Sequence, residues 1–181
     1  MLGLDKDVVA LTAYDPKWKV LFEQEKVLLE SLIGEHIVDI QHIGSTAIEG
    51  IAAKPMIDVL IGVQALDDAK KFDKYLLRDA DIYQLGRVEV EGKVVYAKFS
   101  DLEALTKTHV YHVVEHKGDW WQQHTLFRDY LNEHPDVAIE YETLKKELAV
   151  KYPNNERYYA DAKKAFVDEV VGLAEKELSA K

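Results

Sequence analysis

Between Met56 and Val63 the chain reads MIDVLIGV, apolar throughout except for one carboxylate, Asp58. Ile57, Val59, Ile61 and Val63 alternate onto one face, Met56, Asp58 and Leu60 onto the other. A strand of that kind needs cover above and below, which predicts a place in the interior of a sheet. Its expected neighbours are the β-branched runs His36–Ile43 and Thr108–Glu115. A charge inside such a strand is costly unless it is paired, hydrogen-bonded or metal-bound. Asp58 is therefore either a structural carboxylate, paired with Lys54 or accepting N–H bonds from the turn before it, or a ligand for a cation or phosphate site.

That turn lies just upstream. The apolar run ending at Ile43 breaks at Gly44, the hydroxyl residues Ser45 and Thr46 follow, and Lys54-Pro55 closes the connector. Glycine permits a tight turn and a close backbone approach. Free N–H groups and hydroxyls favour an anion there, although a simple helix cap uses the same donors. A carboxylate within reach can anchor the cation that phosphates bring.

The flanking segments predict an α+β chain. Asp15-Pro16 opens a helix with Trp18, Leu21, Phe22, Leu28, Leu29 and Leu32 on one face and Gly34 as its stop. Residues 67–78 read as a helix with Ala69, Phe72, Tyr75 and Leu76 inward. Val88–Phe99 alternates around Glu91-Gly92 as a hairpin. From Asp119 the period turns helical: one helix to Glu133 before Pro135, one carrying Val137, Tyr141, Leu144 and Leu148, and, after Pro153-Asn154-Asn155, a last one with Tyr159, Ala162, Phe166, Val170 and Leu173. The expected arrangement is one domain over 1–181, a mixed sheet in 1–118 with helices on it and a helical C-terminal third in 119–181.

A formal net charge of −10 argues against a duplex-binding protein, because affinity for duplex nucleic acid rests on neutralising phosphates. It leaves room for a small phosphorylated substrate in a local basic pocket. With no cysteine there is no disulfide framework or thiolate chemistry. No apolar run reaches membrane-spanning length, the first residues lack a signal-peptide pattern, and a cytoplasmic location is expected.

HIGSTAIEGIAAKPMIDVLIGV resembles the signature of the GrpB-like family, a branch of the nucleotidyltransferase fold superfamily. The likeness continues in YDPKWKVLFEQEK, YHVV, LFRDYLNEHPDVAIEYETLK and YYADAKKAF, and so covers nearly the whole chain. The resemblance implies that Gly44, Ser45 and Thr46 hold a triphosphate tail and that Asp58 is catalytic and holds a divalent cation, Mg²⁺ or Mn²⁺. The family motifs also place charge at Lys54, Arg128, Lys145 and Lys163, residues that on helices are mostly solvated or paired with neighbours. Arg128 is favoured among these for phosphate because of its planar fork, and Lys54 is counted with it. The activity implied is nucleotidyl transfer. Active members of the superfamily carry a second carboxylate two residues on, where this chain has Leu60. The alternative is a non-catalytic nucleotide- or coenzyme-binding module, in keeping with family members fused to a dephospho-coenzyme A kinase.

His112 is where the family pattern also places a histidine, and it is the expected second ligand of the cation; packing alone explains a strand histidine as well. His42, before the turn, has similar standing. His112-Val-Val-Glu115-His116 spells a zinc-peptidase pattern, but that chemistry needs a helix. On a β-branched strand the two histidines stand roughly 13 Å apart. Trp120 and Trp121 read as core rather than as a base-stacking platform.

Overall fold

A computed structural model describes residues 2–86 and 90–180. The run around Asp58 forms β2 (Ile57–Val63), between β1 (Asp39–Ile43), antiparallel to it, and β5 (Thr106–Glu115), parallel to it. β4 (Lys93–Asp101) and the short β3 (Ile82–Gln84) complete a mixed sheet in the order β1-β2-β5-β4-β3. The strand with two apolar faces is interior, as its sequence requires. The fold is α+β, with a helical C-terminal third.

Helix α1 (Lys17–Ile33) covers one face of the sheet. Asp15 accepts the N–H of Lys17 at 2.9 Å, and Trp18, Phe22, Leu29 and Ile33 pack on Ile57, Val59, Ile61 and Val63. Its inner face also carries Glu25, which accepts from Tyr111 Oη at 2.7 Å and Lys98 Nζ at 2.8 Å. A buried charge in the middle of an apolar stripe is tolerated because both partners reach it. Helix α3 (Asp119–Glu133) covers the other face, where Trp121 joins Ile43, Leu60 and Val114. Phe127 and Leu131 join Tyr141 of α4 (Pro135–Lys151) and Val170 of α6 (Lys164–Ser179) over Ile48 and Ile51. The helical third thus packs directly on the connector that follows Gly44.

Three expectations need correction. Residues 67–78 are not one helix: a 3₁₀ stretch, Leu66–Lys71, precedes α2 (Lys74–Asp79). Asp73 accepts the N–H groups of Tyr75 and Leu76 and restarts the chain as a cap, which changes the helical phase. Leu77 turns inward, while Tyr75 is 79% and Leu76 43% exposed. The last helix is broken at Lys163 into α5 (Glu156–Ala162) and α6, leaving Ala162 and Leu173 on the surface. The first strand begins at Asp39, because His36 belongs to a short 3₁₀ turn. Of the hairpin, Val90 pairs with Lys93 across Glu91-Gly92, and β4 pairs further with β3; residues 88 and 89 lie outside the described residues.

Candidate functional site

The turn and the β2 carboxylate meet. Gly44 adopts φ +71°, and a Cβ there would overlap the Asp58 carboxylate. Only glycine lets the backbone pass this close. Ser45–Ala47 form a single 3₁₀ turn, so any anion here is met by a turn and hydroxyls rather than by a full helix end. Thr46 is buried, and its Oγ1 lies 2.9 Å from Nε2 of His42, whose ring stacks on Phe22. Burial lowers the pKa of His42 to about 4, so a neutral imidazole braces the turn.

Gly44, Ser45, Thr46, Lys54, Met56 and Asp58 line a cleft of about 100 Å³ closed by Tyr141, Tyr159 and Lys163. Asp58 keeps 27% of its side chain exposed at the base. Burial works against its ionisation, yet the contact to His112 and the charges of Lys54 and Lys163 outweigh it and hold the carboxyl below its usual range. His112 Nε2 stands 3.5 Å from Asp58 Oδ1. The register accounts for this: Asp58 pairs with Val110 and Leu60 with His112 across β2 and β5, so Asp58, Leu60 and His112 share one face.

Amines surround the other side. Lys54 donates to Glu156 at 2.7 Å, and Lys107 donates to the second oxygen of that carboxylate at 2.7 Å. The α5 helix is thereby tied to the sheet, with Tyr159 and the adjoining Lys163 over the cleft. Lys163 Nζ lies 4.4 Å from the Tyr159 ring centre. Behind this wall Lys145, 1% exposed, donates to the Ala52 carbonyl and sits 4.8 Å above the Tyr141 ring. Burial first, and then the charge of Lys163, lower its pKa to about 7. The motifs mark Lys145 and Lys163 as basic residues, but do not show that Lys163 closes the cleft while Lys145 sits behind it. Tyr141 and Tyr159 read only as core positions of helical stripes.

Arg128 stands elsewhere. Its Nε donates to Asp129 at 2.7 Å, and Nη1 donates to Gln41 Oε1 and the His42 carbonyl, each at 2.9 Å. It lines a second cleft, of about 360 Å³, between α1, β1 and α3, with Thr46 as the shared wall. Asn132 accepts the Glu49 N–H and donates to the Ala47 carbonyl, so α3 pins the connector at two points. His116 packs against Trp121 and takes no part in the Asp58 cleft.

The donor set suits an ion carried in by a ligand better than a resident one. Two adjacent donors on one octahedral ion at bond lengths of about 2.1 Å stand about 3.0 Å apart, so the 3.5 Å between Asp58 and His112 needs to close by about half an ångström. Among the described residues no three His, Cys, Asp or Glu side chains converge on one point. Magnesium and manganese commonly complete such a set with water and phosphate oxygens.

A mixed sheet with a Gly-Ser turn facing an interior-strand carboxylate is the nucleotidyltransferase fold. The solved structure of the Cid1 poly(U) polymerase with MgGTP bound shares it at a TM-score of 0.50 and 11% identity, over 77% of this chain and 44% of that one, a likeness of fold alone. Within that fold the chain belongs to the GrpB family, whose model, GrpB protein, matches residues 8–172. Conserved protein GrpB from Enterococcus faecalis superposes at a TM-score of 0.83 with 29% identity, over 93% of this chain and 99% of that one. Glutamate-rich protein GrpB of Alkalihalophilus pseudofirmus is 57% identical over 94% of this chain and 98% of its own. UPF0157 protein YqkA of Bacillus subtilis is 35% identical over 90% of this chain, which spans 46% of YqkA.

Proposed function

We propose that the chain binds a nucleoside triphosphate with one divalent cation, Mg²⁺ or Mn²⁺, in the Asp58 cleft, and transfers its nucleotidyl group to an acceptor. The observation that carries this is the contact of Gly44 with Asp58 inside a wall of amines, which sets an anion cradle beside a cation ligand. In this reading the backbone and hydroxyls of Gly44, Ser45 and Thr46 receive the phosphates, and Lys54 and Lys163 offset their charge. Asp58 and His112 hold the cation, which supplies charge stabilisation at the phosphoryl oxygens. The acceptor oxygen bonds to the α-phosphorus, pyrophosphate leaves, and the acceptor's proton passes to solvent or a basic side chain. Positioning and electrostatics contribute most of the rate in such chemistry. Arg128, with two donors already on β1, acts through the turn rather than on phosphate.

A second reading is favoured by Leu60, fully buried where a further carboxylate would stand: a module that binds the nucleotide without turning it over. Both readings give a melting temperature that rises with ATP plus Mn²⁺ in a dose-dependent way, because a ligand of the folded state stabilises it. Pyrophosphate release in a screen of acceptors separates them. Absence of any shift with millimolar nucleotide, with or without metal, overturns both.

A further inference from the structure

His112 turns Nε2 toward Asp58, and its other nitrogen, Nδ1, is buried without a hydrogen-bond partner; so is Nε2 of His124. The first ring stands on β5 and the second on α3, edge to face at 5.8 Å. Buried polar atoms without partners are rare in folded proteins, and each calls for a reason. Two such nitrogens on adjoining rings, one beside the cation site, share one reason.

An imidazole that binds a cation through one nitrogen carries its proton on the other. That N–H is normally taken up by an outer acceptor, which fixes the ring and raises its basicity. With a cation on Nε2, Nδ1 of His112 becomes a donor in need of such an acceptor. His124 is suited to be one. A neutral imidazole keeps a lone pair on one nitrogen, and Nε2 of His124 is the buried, unpartnered nitrogen of the adjoining ring. Trp120 lies 5.5 Å from the His124 ring and carries Lys93 Nζ 4.4 Å from its own ring centre, which walls the imidazole in place.

We propose that His124 is the positioning residue of the Asp58–His112 cation site, accepting on Nε2 a hydrogen bond from Nδ1–H of His112 when the cation is bound. The proposal rests on the cation assigned above to Asp58. It adds to that reading a residue, remote in sequence from both ligands, that sets the affinity of the site without touching the ion.

The test is a Mn²⁺ titration of the full chain in the presence of inorganic pyrophosphate, read by electron paramagnetic resonance. His124→Leu, which keeps bulk and removes the acceptor, should weaken Mn²⁺ binding about ten- to a hundredfold. His124→Gln, which restores an acceptor oxygen, should recover most of that loss. Should the leucine variant fold poorly, ¹⁵N spectra of the wild-type histidine rings with Mg²⁺ and pyrophosphate give a second reading: a proton on Nδ1 of His112 and none on Nε2 of His124. A leucine variant that binds as wild type, or a His112 Nδ1 without its proton in the complex, overturns the role of His124. If Asp58→Asn and His112→Ala still abolish binding, the cation reading survives that failure. If they do not, both fall together.

Discussion

Gly44 and Asp58 lie in direct contact, fourteen residues apart in sequence and on opposite sides of a strand-to-strand connection. A methyl group at residue 44 meets the carboxylate and must also hold φ at +71°. Strain of this sort costs about 1–3 kcal/mol. Gly44→Ala is therefore expected to lose about that much stability in a urea titration, and to lose any nucleotide-dependent thermal shift as well. An alanine variant with wild-type stability would show that the turn yields easily and that the contact is loose.

Glu156 binds Lys54 and Lys107 together, and α5 carries Tyr159 and leads to Lys163 over the cleft. Removing its charge leaves two half-buried amines without their carboxylate. A fully buried pair broken in this way costs about 3–5 kcal/mol, and partial exposure here reduces that to about 1–3 kcal/mol. Glu156→Gln should show this loss in denaturant and should weaken polyphosphate binding, because the wall carrying Lys163 loses its tie. Equal affinity in the variant would mean that α5 is held by its apolar contacts alone.

What the sequence disclosed follows from the range of the interactions concerned. The interior place of β2 was legible because burial on both faces leaves a local signature, and α3 because a change of period and a proline bound it. Residues 67–78 misled because Asp73 sits inside a helical pattern and caps a new helix rather than continuing the old one. Arg128 was assigned to phosphate by motif, yet β1 is an edge strand whose His42 carbonyl needs a donor, and the guanidinium supplies it. That need follows from the edge position of β1, which its own residues do not display. The same holds for Lys145, which reaches the Ala52 carbonyl across 93 positions, and for Tyr159, which closes the cleft over Gly44 and Ser45.

Burial holds His42 and His109 neutral, each with a pKa of about 4 against 6.5 unfolded. Between those values the unfolded chain binds the protons and the folded chain does not, so stability falls as the pH is lowered from about 6.5 to 4. Each group contributes a slope of about 1.4 kcal/mol per pH unit, roughly 3 for the pair. His42→Gln and His109→Gln should each flatten the acid limb of a stability–pH curve by one such share. An unchanged slope in either variant would place that histidine's folded pKa near its unfolded value.

Lys145 gives the opposite limb. Its folded pKa of about 7, against 10.5 unfolded, arises from burial and from Lys163 beside it. Below pH 7 both states carry the proton and this group adds no slope. From about 7 to 10.5 only the unfolded chain carries it, so raising the pH favours folding by up to about 1.4 kcal/mol per unit. Lys145→Met removes the charge and nearly keeps the volume. The stability of wild type relative to this variant should therefore climb across that window and level off below it, as read by urea titrations at pH 6, 7.5 and 9. A polyphosphate seated against Lys163 would offset the charge that depresses Lys145 and move the climb to higher pH. Parallel curves for the two proteins would show that Lys145 titrates as an ordinary lysine, and would remove it from the electrostatics of the cleft.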